Sequence, residues 1–80
     1  MAVKLVFLGK LADLAGAPER EVPGPLDWGA LVAGLEPELS AWLQGDKVRV
    51  AVNGAVLGDK RLLLADDGDE VALLPPVSGG

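Results

Sequence analysis

The chain has 80 residues, a formal net charge of −5 from 12 acidic and 7 basic side chains, and neither cysteine nor histidine. That length allows one small domain, held by packing alone, since a disulfide or a His/Cys metal staple is excluded. The cations are scattered (Lys4, Lys10, Arg20, Lys47, Arg49, Lys60, Arg61), so no basic cluster meets nucleic acid or an anionic membrane, and no apolar run nears the ~20 residues that span a bilayer.

Val3 to Leu8 (VKLVFL) predicts a first strand. Side chains alternate faces along a strand. Val3, Leu5 and Phe7 therefore share a core face, and Lys4 marks the face of Val6 and Leu8 as outward. Gly9 to Gly16 reads as a loop or a short helical turn with Leu11 and Leu14 tucked in. Glu19 to Val22 is a second strand in a hairpin with the first. Pro23-Gly24-Pro25 ends it, because proline cannot donate to a ladder.

Trp28, Leu31, Val32 and Leu35 come next at helical spacing, with Asp27 as N-cap. Such a stripe ordinarily packs on a sheet. Pro37 permits a second helical start, with Leu39, Trp42 and Leu43 apolar. Lys47 to Asn53 alternates again, with Val48, Val50 and Val52 on one face and Arg49 and Ala51 on the other. Asn53-Gly54 is a tight-turn signal, since both residues tolerate positive φ, and Ala55 to Leu57 pairs back. Leu62, Leu63 and Leu64 form an apolar patch of no assignable period. Asp66 to Asp69 is a turn, and Glu70 to Leu74 is the last strand. The carboxylates at Asp66, Asp67, Asp69 and Glu70 read as a solvated turn and not as a metal site, because a calcium loop needs further ligands at set spacing. The whole predicts an α+β domain, with a helix across one face of a mixed sheet.

The interior is poor in chemistry. The chain has no Tyr or Thr, and its only hydroxyls are Ser40 and Ser78. A nucleophilic serine needs a base beside it. The composition therefore favours a carrier, adaptor or subunit over a free-standing enzyme. The start, Met1-Ala2-Val3-Lys4, lacks the parts of a signal peptide. Together with the absence of cysteine, that fits the cytoplasm.

The remaining signal is the end, Leu73-Leu74-Pro75-Pro76-Val77-Ser78-Gly79-Gly80. Pro75 and Pro76 stop the last strand and stiffen the adjoining residues toward polyproline II. Val77 and Ser78 have little to bury. Gly79 and Gly80 carry no Cβ, so they can thread a channel that excludes side chains. The reactive group is then the α-carboxyl of Gly80, activated as an acyl-adenylate. The bland alternatives are a frayed terminus or a cloning remnant.

The stretch from Asp67 to Gly80 resembles the C-terminal signature of the small subunit of molybdopterin synthase, the MoaD family. Lys4 to Leu8 with Leu14-Ala15-Gly16 resembles that family's first strand and the turn after it, and Val50 to Gly54 its central strand and Asn turn. The departure is at Leu73 and Leu74, where many members carry aromatics. The resemblance implies a β-grasp, ubiquitin-like fold over residues 1–76 and a flexible tail over 77–80. It also implies a mechanism. An E1-like enzyme adenylates Gly80 with ATP and Mg, sulfur from a donor gives a thiocarboxylate, and the tail enters the large subunit. There the sulfur passes to cyclic pyranopterin monophosphate during molybdenum cofactor biosynthesis. Gly79, Ser78 and Val77 thread the tail, no cofactor is held stably, and two small and two large subunits assemble.

By strand parity Leu74 falls outward with Ala72 and Glu70. If the fold makes the first and last strands neighbours, Val6, Leu8 and Leu74 form an apolar patch beside the tail's root at Pro75 and Pro76, suited to a partner. Loops or the Leu62 to Leu64 stretch could instead cover it. The competing functions are a sulfur carrier for thiamin thiazole or tRNA thiolation, a protein modifier that joins Gly80 to lysines, and a binding module with an inert tail.

Overall fold

The computed structural model describes residues 2–75. Strand β1 (Val3–Phe7) shows the alternation of its sequence, burying Val3, Leu5 and Phe7. It stops one residue short of the expected end, because Gly9 turns the chain at φ 53°. The segment read as a loop or helical turn is a full helix, α1 (Lys10–Ala15), which buries Leu11 and half-buries Leu14. Strand β2 (Glu19–Val22) pairs antiparallel with β1, as expected of the hairpin.

Helix α2 (Trp28–Gly34) starts at Asp27, whose carboxylate accepts the Ala30 N–H at 2.8 Å and so satisfies a free donor of the first turn. Leu31 and Leu35 are buried, and Trp28 and Val32 pack half-buried beside them. Helix α3 (Pro37–Leu43) opens on proline at its first position, where the missing N–H costs nothing. It buries Leu39 and Leu43, and the Ser40 hydroxyl, also buried, donates to the Val32 carbonyl at 3.0 Å. Strand β4 (Arg49–Val52) turns through Asn53 and Gly54, at φ 50° and 86°, into β5 (Ala55–Val56). Strand β7 (Glu70–Leu74) is the last described element.

The five main strands lie in the order β2-β1-β7-β4-β5, with β1 and β7 parallel and the other pairs antiparallel. The apolar faces of α1, α2 and α3 close over one side of this mixed sheet. This is the β-grasp arrangement, and β7 is its middle strand.

Two features depart from the sequence reading. The unassigned leucines are a 3-10 turn (Lys60–Leu62) followed by β6 (Leu64–Ala65), which pairs with β3 (Leu26–Asp27) in a second, two-stranded sheet. Leu63 is buried in the core, while Leu62 and Leu64 are 76% and 69% exposed. Ala51, placed on the outward face, is nevertheless buried. Its register partners Ala72 and Val56 flank it on both sides, and its short side chain sinks between neighbours. Among the described residues no helix is long and apolar enough to cross a membrane.

Candidate functional site: the end of the central strand

The site is built from β7, which is paired on both sides. Asp69 carbonyl accepts the Lys4 N–H at 3.0 Å where the β1 pairing begins, and the Leu73 carbonyl accepts the Leu8 N–H at 3.3 Å where it ends. The near end of β7 is clamped by the β4–β5 turn. Asn53 donates its backbone N–H to the Glu70 carbonyl at 2.8 Å, and its side-chain oxygen accepts the Glu70 N–H at 2.9 Å. Its side-chain amide donates to Asp69 at 3.1 Å. Asp69 also accepts the Asp66 N–H at 2.9 Å. The bond from the Asp66 amide, then that from Asn53, holds the Asp69 carboxyl below the usual carboxylate range.

Asp67 accepts the Gly24 N–H at 2.8 Å and so ties the same turn to the loop after β2. These carboxylates serve the backbone of the turn. Among the described residues no three His, Cys, Asp or Glu side chains converge on a point where a metal ion could sit.

At the far end β7 delivers Pro75, half-buried against the turn after β1. A Cβ on Gly9 would lie 3.3 Å from Pro75 Cγ, and Gly9 already sits at positive φ. Glycine there lets the β1–α1 turn and the root of the tail share one space.

The outer face of the sheet carries the surface beside that root. Paired residues share a face, so one row runs Glu19, Val6, Ala72, Ala51, Val56 across the five strands. Two residues further along the parallel pair come Leu8 and Leu74, with Arg49 opposite Leu74. Leu8 and Val56 are 41% and 54% exposed. Lys4 and Glu19 form an ion pair at 3.3 Å on the same face. The arrangement is an apolar strip with charges at its margins, ending where the chain leaves the sheet.

Of the residues expected in the site, Val6, Leu8, Leu74 and Pro75 are thus brought to one end of one face. The Leu62 to Leu64 stretch packs against α2 on the other side and leaves this strip uncovered. Pro76, Val77, Ser78, Gly79 and Gly80 lie outside the described residues, as does the expected boundary between domain and tail at 76–77. Ala72 and Arg49 stand on the outward face that parity gave them, and Val56, given no face by the sequence, joins them through its pairing with Ala51. The signal for Val56 lay in the Asn53-Gly54 turn, which fixes the β4–β5 register.

A second cleft, lined by Trp28, Asp46, Arg49, Lys60 and Arg61, lies beside the start of α2. Lys60 is committed there to the carbonyls of Gly45 and of Val48, the latter at 2.8 Å, and burial pushes its pKa down. Arg61 is held by Asp59 at 3.1 Å. The lysine and Arg61 thus serve the fold's own groups.

The family model described as the ThiS family matches residues 5–80. The crystal structure of SAMP1 from Haloferax volcanii is similar, at 28% identity, a TM-score of 0.74 and 100% coverage of both chains. So is the solution structure of small archaeal modifier protein 1 from Methanosarcina acetivorans, at 29% identity and a TM-score of 0.73, covering 98% of this chain and 95% of that one. A chain in the complex of subunits 1 and 2 of molybdopterin-converting factor from Helicobacter pylori 26695 matches at 25% identity and a TM-score of 0.67, with 100% coverage of both. No curated protein matches.

Proposed function

The chain belongs to the ThiS family, and on that premise we propose that it is a ubiquitin-like sulfur carrier, serving as the small subunit of molybdopterin synthase. The observation that supports the reading is the placing of the central strand. β7 ends beside an apolar strip, with Pro75 packed at the Gly9 turn and the Gly79-Gly80 pair lying just beyond in sequence. A partner that grips Val6, Leu8 and Leu74 also receives the residues after Pro75 and Pro76.

The chemistry belongs to the Gly80 carboxyl. An E1-like enzyme joins it to the α-phosphate of ATP, with Mg assisting, and releases pyrophosphate. Sulfide from a donor then displaces AMP and leaves a thiocarboxylate. Val77, Ser78 and Gly79 carry that group into the large subunit, where its sulfur bonds to carbon of cyclic pyranopterin monophosphate and water cleaves the acyl–sulfur bond, leaving sulfur on the pterin and restoring the Gly80 carboxylate. The chain supplies no catalytic side chain. It supplies a tethered nucleophile and the surface that aligns it, and it works in the cytoplasm, where ATP is at hand. The likeness to subunit 1 of molybdopterin-converting factor, present with its subunit 2, supports a large-subunit partner.

A second reading has its own support. The similarity to small archaeal modifier proteins favours transfer of Gly80 to lysines of other proteins after the same adenylation. The two readings separate in one reconstitution. The thiocarboxylated chain is mixed with the large subunit and cyclic pyranopterin monophosphate. Conversion of the pterin to its dithiolene form is expected. No conversion by demonstrably active large subunit, with Gly80–lysine adducts forming on cell proteins, would replace the first reading by the second.

A further inference from the structure

The other edge of the sheet carries a feature that the tail chemistry does not use. Strand β2 is an edge strand, with β1 on one side and no second strand neighbour among the described residues. The Phe7 N–H donates to the Pro18 carbonyl at 2.8 Å. Doubly bonded pairs alternate along an antiparallel ladder. In this register Arg20 and Val22 therefore exchange their bonds with Leu5 and Val3. The N–H and C=O groups of Glu19 and Glu21 are then aimed away from β1, along the free edge.

Beside that edge, on the side of the helices, lies an apolar groove of about 250 Å³ between β2 and α2. Val22, Pro23, Pro25, Ala30, Leu31 and Leu35 line it, and no charged side chain does. Arg20 marks the groove's limit toward α1. Its guanidinium makes a two-pronged pair with Glu36 at 2.9 and 3.0 Å and donates to the Ala15 carbonyl at 3.2 Å.

The two faces of the edge differ in character. A strand added beside β2 would send alternate side chains to opposite faces. One set would drop over the groove. The other would stand beside Glu19 and Glu21 on the outer face. Glu19 is shared with Lys4, and Glu21 makes no ion pair among the described residues. Cross-strand neighbours of opposite charge attract, and like charges repel. A second copy of this chain would bring Glu19 and Glu21 against the same acidic pair, so charge disfavours a symmetric edge-to-edge dimer.

We propose that the β2 edge and the β2–α2 groove together bind an extended segment of a partner protein whose residues alternate between aliphatic and Lys/Arg. Its backbone pairs with the free groups of Glu19 and Glu21, its aliphatic residues fill the groove, and its cations face the two carboxylates.

The test uses the full chain and a fluorescent peptide that alternates Val and Lys over about six residues, a usual strand length. Saturable binding is expected, read by anisotropy, with the amides of Glu19 and Glu21 slowing in hydrogen exchange by roughly tenfold or more while those of Arg20 and Val22 do not change. Two surface variants should each weaken binding by roughly tenfold or more: Ala30→Trp, which fills the groove, and Glu21→Lys, which reverses the edge charge. A peptide alternating Val and Glu should not bind. No saturable binding, equal binding by both variants, or protection that appears away from β2 would overturn the proposal, as would a concentration-dependent dimer protecting the same two amides without peptide.

Discussion

Asn53 and Glu70 are locked by a reciprocal pair of hydrogen bonds: the Asn53 backbone N–H donates to the Glu70 carbonyl at 2.8 Å, and the Asn53 side-chain oxygen accepts the Glu70 N–H at 2.9 Å. The turn residue that joins β4 to β5 thus also fixes where β7 begins. Since β7 is paired on both sides, fixing its start fixes where Pro75 leaves the sheet.

Asn53→Ala removes the bonds from the side chain to Glu70 and Asp69 and places a Cβ-bearing residue of poorer tolerance at φ 50°. The expected loss is about 2 kcal/mol of unfolding free energy. Asn53→Gly keeps the backbone conformation and loses only the side-chain bonds, so it should cost less. Urea denaturation of the two variants checks the order, and equal stability of Asn53→Ala and the parent chain would contradict the clamp.

Gly24→Ala tests the second tie to the same turn. A Cβ there would lie 2.6 Å from Asp67 Oδ1 and 2.9 Å from its backbone nitrogen, against backbone that cannot step aside cheaply. The expected cost is about 1–3 kcal/mol. A lowered thermal midpoint is the readout.

Glu36 supplies a pH dependence. The hydrogen bond from Arg20 holds its carboxyl down from 4.5 to about 2. A depressed folded value means that protonation favours the unfolded chain. The pair's contribution is full above about pH 4.5 and fades as pH falls toward about 2. Glu36→Gln should therefore show a shallower loss of stability across that window. The limb should not vanish, because Asp69 and Asp59 are also depressed. Glu36 is exposed, so salt should shrink the difference.

Leu74→Asp tests the apolar strip. Leu74 is half-buried on the outer face, opposite Arg49 and level with Leu8. A carboxylate there should leave the far-UV spectrum and cooperative unfolding in place. It should weaken binding to the large synthase subunit by roughly a hundredfold, the loss typical of a central interface anchor. Calorimetric titration measures it, and unchanged affinity would remove the strip from the interface.

Much of this is legible in the residues themselves. Lys4 and Arg49 each interrupt an aliphatic run at period two, and that marks β1, β4 and their inward faces. Asp27 announces α2 because a carboxylate before an apolar helical stripe has a donor to satisfy. Helix α1 is short and bounded by Gly9 and Gly16, so its residues leave a loop and a helical turn both open, and the helical alternative is the one that forms. The misses have equally local causes. β3 and β6 have two residues each, too few for any period to appear, and Leu62 to Leu64 pass from a 3-10 turn into strand within three positions. Ala51 is buried because its methyl group is short and a strand flanks it on each side, and the flanking follows from strand order, not from the alternation of its own segment. Val6, Leu8 and Leu74 can be placed by parity, but Val56 and Arg49 join them only once the strand order is known.

The central claim is that this chain carries sulfur on Gly80. The most direct test is the intact mass of the chain after incubation with ATP, an E1-like activating enzyme and sulfide, beside a variant lacking Gly80. The account predicts a shift equal to one oxygen replaced by one sulfur in the parent chain and none in the variant. An unchanged parent mass, with the enzyme shown active on another carrier, would contradict it.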